Sequence, residues 1–255
     1  MLFNDIVYGP VHSRRLGVSL GINLMPALAK LCTFDCVYCE LGWNTPAQHP
    51  ILPTRKEIKD ALEKKLRQLQ QDSVTPDVLT FSGNGEPTLH PDFEGIIDDT
   101  CALRDTYCPS AKVSVLSNST QLFRPDVLRA LRHCDNRILK LDSAIDTTMR
   151  LIDQPLNKDL TVAQIVQLLS VFDGDFSLQT CFLRGTHNGH HMDNTTPAEL
   201  SAWYKVVETL HPQQVMMYVI DRATPCPTLE KISRVEMEAI AQPLRDKGFI
   251  VSVSA

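Results

Sequence analysis

The sequence predicts an α/β protein built on a parallel sheet or barrel. Seven short apolar segments, rich in Val, Ile and Leu, alternate with helical segments along the 255 residues. Such runs are typical of strands that are buried on both faces. Because a strand–helix alternation repeated about six times favours right-handed crossovers, we expect mostly parallel pairing. The predicted strands are 18–24, 77–82, 112–117, 137–142, 176–183, 214–220 and 249–253.

Local start and stop signals support the helices between these strands. Thr54, Thr196 and Ser233 are each followed three residues later by Glu, which is the spacing of a capping box. Pro197 stands at a first helical position, and Gly248 follows the last predicted helix, where a glycine is common. In folds of this class, ligands bind in the loops that follow the strands, so functional residues are expected there.

Composition and charge exclude several classes of function. The sequence is 43% hydrophobic and 22% charged, and its net charge is −5, which argues against a general polyanion binder. It has no run of about 18 apolar residues, so we expect no membrane partner. Eight cysteines without a signal-peptide pattern indicate a reducing compartment. We therefore expect a cytoplasmic protein with a single domain over residues 1–255.

Three cysteines lie within eight residues of one another. Cys32, Cys36 and Cys39 form C-x3-C-x2-C in LCTFDCVYCELG, after the first predicted strand. Thiolates are the usual ligands of iron–sulfur clusters, and three of them leave one iron of a cubane open. A buried helical stripe and a zinc site with a distant fourth ligand are the two alternatives. A core stripe rarely repeats cysteine three times, so the sequence favours a 4Fe–4S cluster.

A second motif follows the next predicted strand. The segment FSGNGEPTLHP contains Gly83, Gly85 and Glu86. By itself this is an ordinary turn rich in Gly, Asn and Pro. Glycines also let a backbone approach a ligand, and a carboxylate suits an ammonium group. Asn118 is a further polar candidate, at the end of the third predicted strand.

Together these motifs resemble a known superfamily. CTFDCVYC is similar to the cluster loop of radical S-adenosylmethionine (SAM) enzymes, including the aromatic Tyr38, and GNGEP resembles their GGE segment with Asn84 as a departure. The resemblance implies a partial (β/α)6 barrel with the cluster loop after the first strand. It implies two cofactors, SAM and a 4Fe–4S cluster on Cys32, Cys36 and Cys39. It also implies reductive cleavage of SAM to a 5′-deoxyadenosyl radical, which abstracts hydrogen from a substrate.

The resemblance also suggests SAM-binding residues at the ends of the strands. The expected adenine contacts are Tyr38 and Val219, although core packing explains Val219 equally well. The other expected SAM-binding residues are Gly83, Gly85, Glu86, Asn118, Lys140 and Asp142. Many relatives have serine at this place, so the lysine is a departure from the family pattern. Lys140 is therefore also the candidate catalytic residue. It has three open roles: a partner of the SAM carboxylate, a group acting on the substrate, or an ion-pair partner of Asp142.

The fifth predicted strand runs into the histidine-rich segment THNGHHMD. His187, His190 and His191 are metal ligands by type, but no carboxylate pattern accompanies them. A loop at the ends of the strands favours contact with a substrate instead. The five cysteines outside the motif have no tight spacing, so structural thiols are expected there.

The N-terminal run GPVHSRRLGVSLGINLMP, which contains Arg14 and Arg15, and the later VIDRATP narrow the resemblance. Together with the other motifs, they resemble the radical SAM branch that includes the wyosine-type tRNA base synthases. The resemblance extends over about residues 6–253. Those enzymes carry a second cluster on three extra cysteines, whereas no cysteine precedes Cys32 here. The resemblance therefore implies a single-cluster member of the branch and assigns chemistry better than substrate.

Several functions remain open at this point. The substrate is a small molecule, a peptide or a tRNA, and the expected protein partner is a flavodoxin- or ferredoxin-like reductant. The alternatives are a wyosine-like tRNA-modifying enzyme, a glycyl-radical activase and a non-catalytic iron–sulfur electron-transfer protein.

Overall fold

The computed structural model describes residues 2–13, 15–45 and 50–255, so Arg14 of the arginine pair lies outside the described residues. The chain divides into two compact units. The first comprises Met1–Cys32, Asn44–Ser117 and Gln121–Arg137. The second comprises Thr33–Trp43, Asn118–Thr120 and Ile138–Ala255. The single domain over residues 1–255 stays a prediction.

The first unit combines a sheet with helices. Its strands lie in the order β1-β2-β3-β4; β1 and β2 are antiparallel, and the other pairs are parallel. The strands are β1 Val7–Ser13, β2 Gly17–Ile22, β3 Val78–Phe81 and β4 Lys112–Ser117. The helices are α1 Arg55–Gln71, α2 Phe93–Tyr107 and α3 Pro125–His133, with a 3-10 turn at Pro87–Leu89.

The second unit has the same alternating organisation. Strands β5, β6, β8 and β10 are parallel in that order, and β7 and β9 pair with β6 in antiparallel fashion. The strands are β5 Asn136–Lys140, β6 Ser177–His187, β7 His190–Asp193, β8 Gln214–Val219, β9 Glu230–Lys231 and β10 Val251–Ser254. The helices are α4 Asp146–Asp153, α5 Val162–Ser170, α6 Pro197–Leu210 and α7 Arg234–Asp246. No helix among the described residues has the length and apolar character that crossing a bilayer requires.

All seven predicted strands are present, as β2 to β6, β8 and β10, with shifted boundaries. The antiparallel strands β1, β7 and β9 were not predicted. β1 contains Gly9 and Pro10, residues that weaken a strand pattern, and its register shifts between Tyr8 and Val11. β7 is the polar run HHMD of the histidine segment and lacks apolar alternation. The cluster loop thus follows the second observed strand, β2, which is the first predicted one.

Alternation along the strands separates two faces of the sheet in the second unit. Thr180 and Phe182 of β6 face helix α6. Trp203 of that helix donates a hydrogen bond from Nε1 to Thr180 Oγ1 over 3.1 Å, and its ring lies 5.2 Å from the Phe182 ring. Gln179 and Cys181 therefore face the opposite side. The same side carries Lys140, because it pairs with Gln179.

Two of the three predicted capping boxes are confirmed. Thr54 with Glu57 and Ser233 with Glu236 form both reciprocal hydrogen bonds. The prediction was wrong for the third, because Thr196 accepts from the backbone N–H of Glu199 but the carboxylate of Glu199 is engaged elsewhere. That carboxylate is buried and accepts a hydrogen bond from the Ser143 hydroxyl over 2.7 Å.

The stabilisation that Glu236 provides at the start of α7 depends on pH. Hydrogen bonds from Ser233 and then Arg184 lower the pKa of Glu236 to about 2, whereas a glutamate in an unfolded chain titrates near 4.3. Because the folded pKa is the lower one, the contribution is complete above about pH 5 and is lost as the pH falls towards 2. We expect the stability difference between wild type and Glu236→Gln to narrow over this range in urea titrations. An unchanged difference at pH 3 would contradict this linkage.

Candidate active site

The cysteine loop of the second unit is held by the end of α4. The backbone N–H groups of Asp35 and Val37 donate to the carbonyls of Asp153 and Ile152 over 3.0 and 2.9 Å. The last carbonyls of a helix have no partner within the helix, and the loop supplies partners here. Within the loop, the N–H of Cys39 donates to the carbonyl of Cys36 over 3.1 Å. The positions of Cys36 and Cys39 are therefore determined by α4 as well as by the loop itself.

The three motif cysteines have the chemistry that a cluster requires. Cys32 belongs to the first unit, and Cys36 and Cys39 belong to the second. None of the three takes part in a disulfide bond, and all are only partly buried. Among the described residues, no three His, Cys, Asp or Glu side chains form a site for a metal ion. A 4Fe–4S cluster does not need three ligands around one metal ion, because each cysteine binds a different iron. An all-thiolate donor set also suits iron–sulfur chemistry.

In the first unit, the GNGEP segment pairs with the residue before Cys32. The N–H of Leu31 donates to the Asn84 carbonyl over 2.8 Å, and the N–H of Glu86 donates to the Leu31 carbonyl over 3.0 Å. Gly85 lies between them with φ +146°, and a Cβ there would stand 1.7 Å from the Leu31 oxygen. The absence of a side chain at Gly85 therefore allows the chain to enter the cysteine loop.

Gly83 and Asn84 each have a structural reason of their own. At Gly83, φ is +149° and a Cβ would stand 2.5 Å from Asn23 Oδ1. The Asn84 side chain is fully buried, and it exchanges hydrogen bonds of 2.8 Å with both backbone groups of Phe3 and donates to the Pro26 carbonyl. Asn84, which stands where the family motif has its second glycine, thus holds the N-terminal segment in place.

Glu86 is buried at the start of the 3-10 turn. Its Oε1 accepts hydrogen bonds from the Thr88 N–H over 3.1 Å, the Thr88 hydroxyl over 2.5 Å and the Ser117 hydroxyl over 2.9 Å. These bonds fix the carboxylate between the ends of β3 and β4. Contact between Glu86 and an ammonium group stays a prediction.

In the second unit, Tyr38 and Asp142 are joined directly. The Tyr38 hydroxyl donates to Asp142 Oδ2 over 2.5 Å, and the Tyr218 hydroxyl donates to the Tyr38 oxygen over 3.3 Å. The other carboxylate oxygen, Oδ1, accepts from the Cys181 N–H over 2.8 Å. Burial, and then the charge of Asp142, raise the pKa of Tyr38 well above its usual value. Both residues therefore fasten the cysteine loop to β5, β6 and β8.

Lys140 is at the centre of this network. Its ammonium lies 3.1 Å from Cys36 Sγ, 3.1 Å from Asp142 Oδ2 and in hydrogen-bond contact with Asp153 Oδ1. Burial opposes the charge, but Asp142 and Asp153 together raise the pKa of Lys140 well above its usual value. An ammonium has three N–H donors, and these acceptors match that number. Of the three roles left open by the sequence, the geometry provides the ion pair with Asp142.

Two residues of this network were missed by the sequence reasoning. Burial raises the pKa of Asp153 above its usual value, against the opposing effect of Lys140. Asn194 donates to the carbonyls of Asp142 and Cys181 over 2.8 Å, and its Oδ1 accepts from the Leu183 N–H over 2.9 Å. Neither residue belongs to a motif, and each reaches the network only through the fold.

Asn118 lies beside the cysteine loop in the second unit. Its Nδ2 donates to Thr33 Oγ1 over 2.8 Å, and its Oδ1 accepts from the Thr120 N–H over 3.1 Å. The side chain is buried. These bonds join the loop to the segment after β4, and a role in binding SAM stays a prediction.

Val219 faces away from the tyrosine pair. It pairs with Phe182, whose ring packs on Trp203 of α6, whereas Tyr218 lies on the opposite face with Tyr38. The core-packing alternative fits this placement of the Val219 side chain, and the adenine contact stays a prediction.

The histidine segment forms the hairpin between β6 and β7. Asn188 and Gly189 have φ values of +49° and +79°, the signs that a two-residue type I′ turn requires. The His187 ring stacks on Trp43 of the cysteine loop, with ring centroids 5.2 Å apart. His190 and His191 are exposed. The substrate-contact role of this hairpin stays a prediction.

Comparisons with known proteins agree with this fold. The model of the radical SAM superfamily, whose members use a 4Fe–4S cluster and SAM, matches residues 28–172. A UPF0026 protein of Helicobacter pylori is 32% identical over 187 residues, which is 72% of this chain and 58% of that protein. The chain spans between 32% and 64% of the length of the curated relatives that it matches.

Solved structures support the predicted barrel. Streptococcus suis SuiB bound to SAM has a TM-score of 0.64 at 12% identity, covering 89% of this chain and 49% of SuiB. TYW1 with a lysine–pyruvate adduct has a TM-score of 0.61 at 13% identity, covering 89% of this chain and 73% of TYW1. At this identity the likeness concerns the fold alone, and it confirms the predicted radical SAM fold. With more than half of its length matched by the family model, the chain belongs to the radical SAM superfamily.

Proposed function

We propose that this protein is a radical SAM enzyme that cleaves SAM reductively and abstracts a hydrogen atom from a substrate. The observation that carries the proposal is the loop of Cys32, Cys36 and Cys39, whose three partly buried thiols have the family's spacing and form no disulfide bond. When bound, the cluster and SAM together supply a 5′-deoxyadenosyl radical. The protein's own part is to bind, orient and shield these groups.

We assign the cluster to the three motif cysteines. Tyr38 is proposed as the adenine contact and Glu86 as the acceptor for the SAM ammonium, with Gly83 and Gly85 presenting the backbone beside it. Asn118 and Asp142 are proposed near the ribose and carboxylate groups. Both carboxylate oxygens of Asp142 accept hydrogen bonds, one from the Tyr38 hydroxyl and one from the Cys181 N–H. We therefore expect Asp142 to act mainly by fixing Tyr38.

Within the superfamily we propose a relationship to the wyosine-type branch, based on the N-terminal run and on VIDRATP. The substrate class is a small molecule, a peptide or a tRNA. The net charge of −5 does not favour a broad nucleic-acid surface, and a tRNA substrate would show strongly salt-dependent binding. Salt-insensitive or absent tRNA binding would leave the other two classes.

Radical SAM enzymes generally need an external reductant. We propose a flavodoxin- or ferredoxin-like protein in this role and a cytoplasmic location for both proteins.

The proposal is tested by anaerobic reconstitution with iron and sulfide, followed by addition of dithionite and SAM. We expect about four irons per chain, an EPR signal of the reduced cluster that changes on adding SAM, and formation of 5′-deoxyadenosine. A cluster that is indifferent to SAM would favour the electron-transfer alternative. Bound zinc with no cluster would contradict the proposal.

A further inference from the structure

Lys140 brings a positive charge into contact with a proposed cluster ligand. Its Nζ lies 3.1 Å from Cys36 Sγ, and its side chain is only 11% exposed. Since little water reaches this ammonium, its charge is screened less than that of a surface lysine. The sulfur of Cys36 therefore experiences a nearby cation.

The ammonium is also held in one position. Asp153 accepts a hydrogen bond from it, and Asp142 forms a salt bridge with it. The rings of Phe34 and Tyr38 lie 4.8 and 5.2 Å from Nζ. Asp153 additionally carries the cysteine loop, because its backbone carbonyl accepts from the loop. The cation and the loop are thus fixed by the same end of α4.

We propose that Lys140 is a positioning residue that acts through Cys36 to raise the reduction potential of the 4Fe–4S cluster, and thereby determines which reductants can reduce it. The inference rests on the proposed function, because it needs Cys36 as a cluster ligand. Hydrogen bonds to the sulfurs and local charge are among the determinants of iron–sulfur potentials. One electron from the external reductant adds one negative charge, and a cation at a ligand sulfur stabilises the reduced form more than the oxidised form.

The two aspartates modulate this effect. Asp142 and Asp153 pair with the same ammonium, so their carboxylates offset part of its charge. Removing one carboxylate while keeping Lys140 on Cys36 should therefore shift the potential in the opposite direction from removing the lysine.

The test is a redox titration of the reconstituted cluster, followed by EPR and carried out without SAM. In Lys140→Met, we expect the ratio of reduced to oxidised cluster at a fixed solution potential to fall about tenfold, which is about 59 mV for one electron. Lys140→Arg keeps a cation with N–H donors and should restore most of the potential. Lys112→Met removes an exposed lysine at the start of β4 and should leave the potential unchanged.

Asp153→Asn gives an independent test of the sign. It should raise the reduced fraction at the same solution potential, and it decides the matter if Lys140→Met does not load a cluster. Equal reduction potentials in wild type and Lys140→Met would overturn the inference. If Lys140→Met loads no cluster, an unchanged or lower reduction potential in Asp153→Asn would overturn it. A wild-type protein that forms no cluster would instead contradict the proposed function.

Discussion

Cys36→Ala is expected to abolish both assembly of the 4Fe–4S cluster and formation of 5′-deoxyadenosine. Two thiolates are too few to hold a cubane in which three irons are bound by protein ligands. The loss should not come from unfolding. Cys36 is only partly buried, and Lys140 keeps its bonds to Asp142 and Asp153 when the sulfur is removed. We expect the unfolding free energy of the apoprotein to change by about 1 kcal/mol or less.

Cys101→Ala is the matched control. Cys101 is a free, partly buried thiol on α2, outside the motif. Iron content, the visible spectrum of the reconstituted protein and 5′-deoxyadenosine yield should match wild type in this variant. Iron content in Cys36→Ala equal to that of wild type would show that the loop does not hold the cluster as proposed.

The parallel strands and the cysteine loop were predictable because their signals are local. Each buried strand is an apolar run, and the three cysteines are spaced within one short segment. The antiparallel strand β1 was missed because Gly9 and Pro10 interrupt it. Its pairing with β2 is a tertiary feature that a strand pattern alone does not encode.

The network around Lys140 was only half predictable. Lys140 and Asp142 end a strand, which marks them in the sequence. Asp153 and Asn194 reach the same place from α4 and from the segment after β7, and no spacing rule connects them to Lys140. Contacts between distant segments depend on packing, so they become visible only in the fold.

The glycines of the GNGEP segment show how one motif serves two purposes. The sequence suggests that Gly83 and Gly85 let the backbone approach a ligand. The structure shows a close approach to the protein itself, to Asn23 and to Leu31. The two readings are compatible, because a segment fixed by its own chain is also preorganised for a ligand.

Gly85→Ala is expected to destabilise the protein by about 3 kcal/mol and to reduce its cluster content. The new Cβ would stand 1.7 Å from the Leu31 carbonyl oxygen, and this backbone contact cannot be relieved by a side-chain rotation. The φ of +146° adds strain for any residue with a side chain. Urea unfolding of the apoprotein and iron content after reconstitution measure the two effects.

Gly248→Ala measures the cost of a positive φ without a steric clash. Gly248 also has a positive φ, +88°, but a Cβ there would meet nothing within 4 Å, so we expect a cost of only about 1 kcal/mol and a normal cluster. If Gly85→Ala were no worse than Gly248→Ala, the close contact with Leu31 would have no energetic weight. A larger loss at Gly85 together with low iron would show that the bridge from Leu31 to Gly85 positions Cys32. Gly85 would then contribute to cluster binding through its backbone contact with Leu31, the residue before Cys32.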